Sequence, residues 1–147
     1  MNLDDILCGE TDDSCAICGV KGPGILTIHH VDGDPSNNLY DNQIVLCRSC
    51  HSKHEQGLEP NTDQISTRKR HLIQKTLTTF GLNAMKIAAR NNFGVVAMPF
   101  LLYHLLDLDY MIQLENQMGY GKQDDATARF AISDNGRRIL HLLRADA

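Results

Sequence analysis

No stretch of the 147 residues is apolar for long enough to cross a membrane as a helix. The N-terminal segment MNLDDILCGETDD lacks the basic start and the continuous apolar core of a secretory signal, so the chain is expected to stay in the cytoplasm. Basic residues are scarce where they would be most conspicuous. Residues 1–60 hold three bases (Lys21, Arg48 and Lys53) against ten acids, a net charge of -7, whereas residues 61–147 hold eleven bases and eight acids, a net charge of +3. A chain with an overall charge of -4 should hold a polyanion weakly and release it steeply with salt. With 42% apolar content, this length supports one ordinary domain or two small ones.

What is present is concentrated between Cys15 and His54, which encloses four cysteines and four histidines. In a reducing compartment, paired cysteines are expected to bind metal in preference to forming disulfides. In each CxxC pair, Cys15/Cys18 and Cys47/Cys50, two intervening residues let one tight turn aim two sulfurs at the same cation, and Gly19 permits the first turn. Four thiolates close a tetrahedron and favour a structural Zn2+, with iron as the competing ion. The 28 residues from 19 to 46 exceed the gap of a minimal zinc ribbon and must form a structure of their own. Cys8 has no partner at chelating spacing and is expected to be a buried or partly buried free thiol.

Between the pairs, GILTIHHV (24–31) reads as a strand after the turn signals of KGPG. DGDPSNN (32–38) is a turn-rich loop in which Asn37 and Asn38 act as turn formers. NQIVLC is a second short strand, and CRSCHSKHEQG a helix ending at Gly57, with His51 and His54 three residues apart on one face. A strand sends His29 and His30 to opposite faces, which suits two different roles.

This order of residues resembles the HNH nuclease family, whose fingerprint is a doublet ending in His, a central Asn and a His on a following helix. The resemblance covers residues 15–54 and implies a strand, loop, strand and helix in the ββα-metal arrangement. It implies that His29 and His51 bind a catalytic divalent cation (Mg2+, Mn2+, Ni2+ or Zn2+), that His30 is the general base, and that Asn42 is the central Asn tying the loop to the strand. His54 fits the third ligand that some family members carry one turn further along the helix. Such chemistry is also what the residue types allow: a neutral imidazole can deprotonate a water, and a cation with open positions can stabilise the phosphorane-like charge and the leaving oxygen.

Residues 58–67 read as a linker, with Ser66 or Thr67 capping the next helix. Three helices are expected after it: 68–81, stopping at Gly81; 83–92; and an unusually apolar one from Val96 to Asp107. YMIQLEN and ARFAIS read as hairpin strands, and SDNGRRILHLLR as a closing helix capped by Ser133 or Asp134. That order, and FAISDNGRRIL in particular, is similar to winged helix-turn-helix domains. The third helix offers base edges little beyond His104, so its apolar surface points to a core or a homodimer interface. The candidates for phosphate contact are Arg68, Lys69, Arg70, Lys122, Arg137 and Arg138.

The expected class is α+β: an HNH module with a four-cysteine zinc site over residues 1–60, followed by a winged-helix-like DNA-binding or dimerisation domain over 61–147. The expected function is a metal-dependent endonuclease acting on double-stranded DNA, with no membrane partner. An RNA-directed nuclease shares the same site. The alternative from another class is a non-catalytic zinc-containing DNA-binding or adaptor protein, which needs the four cysteines and not the histidine cation.

Overall fold

A computed structural model describes residues 2–114 and 127–143. The chain is α+β and divides into two compact units, Met1–Thr76 and Leu77–Ala147. No helix among the described residues is long and apolar enough to cross a membrane.

In the first unit, helix α1 (Leu3–Glu10) is capped by Asn2. Strands β1 (Leu26–His30) and β2 (Gln43–Cys47) pair antiparallel, with Leu26 opposite Cys47 and His30 opposite Gln43. All five residues of β2 are buried, as its unbroken apolar centre Ile44–Leu46 requires. Helix α2 (Arg48–Glu55) starts directly off β2, because the Cys47 side chain accepts the Cys50 amide at the helix N-terminus. The core joins metal-site and strand residues: Cys15, Ala16, Ile44, Leu46, Cys47 and Cys50 pack with Ile65 and Leu72 of the next helix. Each fully buried Ile or Leu contributes about 1.5–3 kcal/mol over leaving it in water.

That next helix, α3 (Thr62–Arg90), begins earlier than the expected cap at Ser66 or Thr67. Asn61 Oδ1 accepts from the Gln64 amide and Gln64 Oε1 accepts from the Asn61 amide, a reciprocal cap that turns most of the expected linker into helix. The consequence for the basic run is large. Adjacent helix positions differ by about 100° in direction, so Arg68, Lys69 and Arg70 cannot share a face.

Lys69 points inward. Its ammonium donates to Glu10 Oε1 at 2.6 Å and sits 3.8 Å over the Tyr40 ring, and the two charged side chains are only 2% and 1% exposed. Tyr40 and Thr76 donate to the other Glu10 oxygen. Burial lowers the Lys69 pKa, with Glu10 opposing that shift. Removing one member of a buried pair strands the other charge, so Lys69→Ala should cost about 3–5 kcal/mol, whereas Glu10→Leu with Lys69→Met should recover most of that loss. Urea denaturation measures both; a Lys69→Ala loss below about 1 kcal/mol would mean the pair is solvated.

The second unit takes up α3 after a break at Thr78, whose backbone is non-helical (φ 65°, ψ 160°). The break was expected at Gly81. Instead the Thr78 hydroxyl caps the continuing helix by accepting the Gly81 amide at 3.1 Å, and a Cβ on Gly81 would lie 3.1 Å from His104 Nε2. Gly81 therefore serves close packing inside the helix. The helix ends at Arg90, where Asn91 accepts the Gly94 amide at 2.7 Å.

The expected third helix, Val96–Asp107, does not form as one element. Val95–Ala97 is strand β3, Pro99–Leu101 is a 3-10 turn, and only Tyr103–Asp107 is helical (α4). The β-branched Val95 and Val96 pair with a neighbouring strand, and Pro99, lacking an N–H, cannot sit inside a helix. Strands β4 (Met111–Leu114) and β5 (Ala128–Ile132) pair antiparallel, giving the sheet order β3-β5-β4. The tip between β4 and β5, including Lys122, lies outside the described residues. Helix α5 (Asp134–Leu142) closes the unit, capped by Ser133 Oγ accepting from the Gly136 amide at 2.9 Å.

Candidate metal centre and active site

The turn at residues 15–18, the β1–β2 pair and α2 carry the candidate ligands, all in the first unit. The four sulfurs of Cys15, Cys18, Cys47 and Cys50 lie within 4.8 Å of one another, the one group of ligand-bearing residues this close among the described residues. Cys18 Sγ and Cys47 Sγ are 3.7 Å apart. That is the edge of a tetrahedron with bonds of about 2.3 Å, roughly 3.8 Å, and too long for a disulfide. The first turn is closed by Gly19 at φ 76°, its amide bonded to the Cys15 carbonyl at 2.9 Å. Burial pushes the Cys15 thiol up, but bonds from the backbone amides of Cys18, Cys47 and Ile17 outweigh it and bring the thiol to about 7, so the thiolate is accessible near neutrality. These four residues fit a metal ion. Cys8 is a free, half-buried thiol outside the group.

The second cluster is built of imidazoles. Alternation along β1 buries His29 and leaves its neighbour His30 half-buried. The His29 ring meets the His51 and His54 rings of α2 edge-on, with centroids 4.9 Å away in both cases. Imidazoles sharing one cation at about 2.1 Å have ring centres roughly 5 Å apart. His29 Nε2 is buried with no hydrogen-bond partner. Burial first, then the neighbouring His51, His54 and His30, push the His29 pKa down to about 4, which keeps the ring neutral.

Both helix histidines have a tautomer set by their surroundings. Thr27 Oγ1 donates to the Leu46 carbonyl at 3.0 Å, so toward His51 Nδ1, 3.1 Å away, it can only accept. His54 Nδ1 stands 2.8 Å from the Pro60 carbonyl, which can only accept. In each ring the proton is on Nδ1 and the Nε2 lone pair is free to bind a cation. Glu55 Oε1, 3.4 Å from His51 Nε2, favours positive charge at that point. An orphaned buried nitrogen beside two prepared lone pairs fits a divalent cation, in a looser set than the cysteines.

Asn42 is buried and holds the loop: its Nδ2 donates to Asp32 Oδ1 and to the Asn37 carbonyl, both at 2.9 Å, while its Oδ1 accepts the Asp32 amide at 3.0 Å. Asn37 Nδ2 donates to Asp32 Oδ2 at 2.8 Å, the largest of the contacts that hold the Asp32 carboxyl below its usual range. Asp34 is committed to Ser36 in the same way. His30 Nε2 lies 2.9 Å from Asn38 Oδ1. Asn38 thus touches the doublet directly. Its sequence marks it only as a turn former, since nothing in a loop sequence tells which of two adjacent asparagines faces a strand.

The basic candidates in the described residues meet different surroundings. Lys69 is buried on Glu10, which removes it as a phosphate ligand. Arg68 is exposed, with Nε donating to the Ala16 carbonyl at 2.9 Å, and Arg70 is half-buried with its Nε unpartnered. In the second unit, exposed Arg137 donates to the Ala89 carbonyl at 3.2 Å and Arg138 to Asn135 Oδ1 at 2.6 Å.

Residues 15–57 match the family model described as HNH endonuclease. The match takes in both cysteine pairs, the histidine doublet, Asn42 and the two helix histidines, and ends at Gly57, just past α2. No curated protein and no solved structure matches the chain.

Proposed function

We propose that the chain is a metal-dependent HNH endonuclease that hydrolyses phosphodiester bonds in DNA, with zinc on the four cysteines and a catalytic divalent cation on His29, His51 and His54. The observation that carries this reading is the buried, unpartnered His29 Nε2 beside two histidines whose Nδ1 atoms are already engaged. Most buried polar atoms are hydrogen-bonded, so an orphaned imidazole nitrogen beside two other histidines supports a cation there.

His30 sits on the same strand, on the opposite face from His29, and takes the proton from the attacking water. The resulting hydroxide attacks phosphorus, the bond to the 3′ oxygen breaks, and that oxygen is protonated by solvent. A divalent cation, when bound, stabilises the added charge on the phosphate and on the leaving oxygen. Asn42 contributes by fixing the loop between the two strands, so that the base does not drift with it.

A second reading, a zinc-stabilised DNA-binding or adaptor module without catalysis, is favoured by one fact: the cysteines are the tighter ligand set. Nicking of supercoiled plasmid separates the two. With Mg2+, Mn2+ or Ni2+ the enzyme should nick, and EDTA given briefly enough to spare the cysteine-bound zinc should abolish nicking. Full zinc content with no cleavage under any of these ions would overturn the nuclease reading in favour of the adaptor.

A further inference from the structure

The loop between β1 and β2 holds one side chain whose task the fold does not explain. Asn38 is exposed and needs no hydrogen bond for its own burial, yet its Oδ1 makes two contacts: 2.9 Å to His30 Nε2 and 3.3 Å to Gln43 Nε2. His30 and Gln43 are directly opposed across the β1–β2 pair, and Gln43 is buried. The Gln43 amide nitrogen can only donate. The Asn38 atom facing both partners is therefore an acceptor, and His30 Nε2 must carry a proton to bond it. In a neutral imidazole the lone pair is then on Nδ1, which none of the hydrogen bonds of the described residues uses.

We propose that Asn38 is a positioning residue that holds His30 as the Nε2–H tautomer and so makes Nδ1 the atom that accepts the proton from water. The inference rests on the nuclease reading for its catalytic meaning. The tautomer itself does not depend on that reading. Asn38 is kept in place from both sides: Asn42 grips the preceding carbonyl at Asn37 and Gln43 grips the Asn38 amide oxygen. A base whose ring cannot flip or exchange tautomers presents the same lone pair at each encounter with substrate, which raises the rate without tightening binding.

The test uses the zinc-loaded full chain with 15N-labelled histidine. The wild-type His30 signals should be those of the Nε2–H tautomer, and Asn38→Ala, at an exposed position, should turn them into a tautomer mixture. In plasmid nicking, Asn38→Ala should lower kcat about 10- to 100-fold with KM and zinc content unchanged, the usual size of losing an outer partner. Asn38→Asp, which keeps an acceptor oxygen, should restore both the tautomer and most of the rate. A wild-type Nδ1–H tautomer, or an Asn38→Ala protein whose tautomer is unchanged, would overturn the proposal. Absence of nicking by the wild type would instead sink the nuclease reading and leave the tautomer result to stand or fall alone, since it is read without DNA.

Discussion

His30→Ala should nick DNA about 10²- to 10⁴-fold more slowly than the wild type, with fold and metal content intact. That span corresponds to roughly 3–5 kcal/mol of transition-state stabilisation at about 1.4 kcal/mol per tenfold. The reason to expect an undisturbed fold is local. The His30 side chain is half-buried, and among the described residues its side-chain hydrogen bond is to Asn38, which keeps its bond from Gln43 when the imidazole is gone. No buried donor or acceptor is stranded, so the usual route to destabilisation is closed. His29 offers no such clean test. Its buried ring packs edge-on against His51 and His54, and truncation removes those contacts as well as a nitrogen. Nicking of supercoiled plasmid by His30→Ala at the wild-type rate, with zinc content and thermal melt matched, would remove His30 from the role of base and with it the proposed mechanism.

The candidate site was legible in the sequence because its chemistry is carried by rare residues at short spacings. CxxC fixes two sulfurs through one turn, and i, i+3 histidines share a helix face, so little tertiary information is needed to group them. The assignment of His29 inward and His30 outward likewise follows from the period of a strand. What the spacing does not encode is which loop side chain reaches back. The His30–Asn38 contact spans eight residues and depends on how the loop is folded by Asn42, Asp32 and Asn37 together.

The second half was harder to read for a different reason. Val96–Asp107 is apolar enough to satisfy either a buried helix or a strand followed by a turn, and hydrophobic content alone does not choose between them. Pro99 and the pairing of Val95 with Phe130 decide it. A close approach adds to this: a Cβ on Gly94, at φ 93°, would lie 2.1 Å from the Phe130 carbonyl, so the backbone passes β5 where only glycine fits. The same blindness explains Lys69. Three consecutive bases look like a surface patch until a partner 59 positions away, Glu10, draws the middle one inside. Long-range pairing of this kind leaves no local signature.

Cys47→Ser should unfold the first unit rather than merely weaken its metal site. Cys47 ends β2, paired with Leu26; its sulfur caps α2 by accepting the Cys50 amide; and its side chain lies in the core with Ile44, Leu46 and Ile65. One residue therefore joins the strand, the helix and the four-sulfur group that fits a metal ion. Structural zinc in small modules contributes about 10–16 kcal/mol of apparent binding energy, which is comparable to the 5–15 kcal/mol that separates a typical domain from its unfolded chain. A hydroxyl does not replace a thiolate as a zinc ligand, so the substitution forfeits most of that term and leaves the buried Cys15 and Cys50 and the exposed Cys18 with no ion to share. Cys8→Ser is the control: that thiol is free and lies outside the four-sulfur group, so zinc content and circular dichroism should match the wild type. A soluble, zinc-free Cys47→Ser protein with wild-type dichroism and a sharp melt would show that the core alone holds the β1–β2–α2 arrangement. The histidine cluster would then be positioned by packing and not by the cysteine-bound metal.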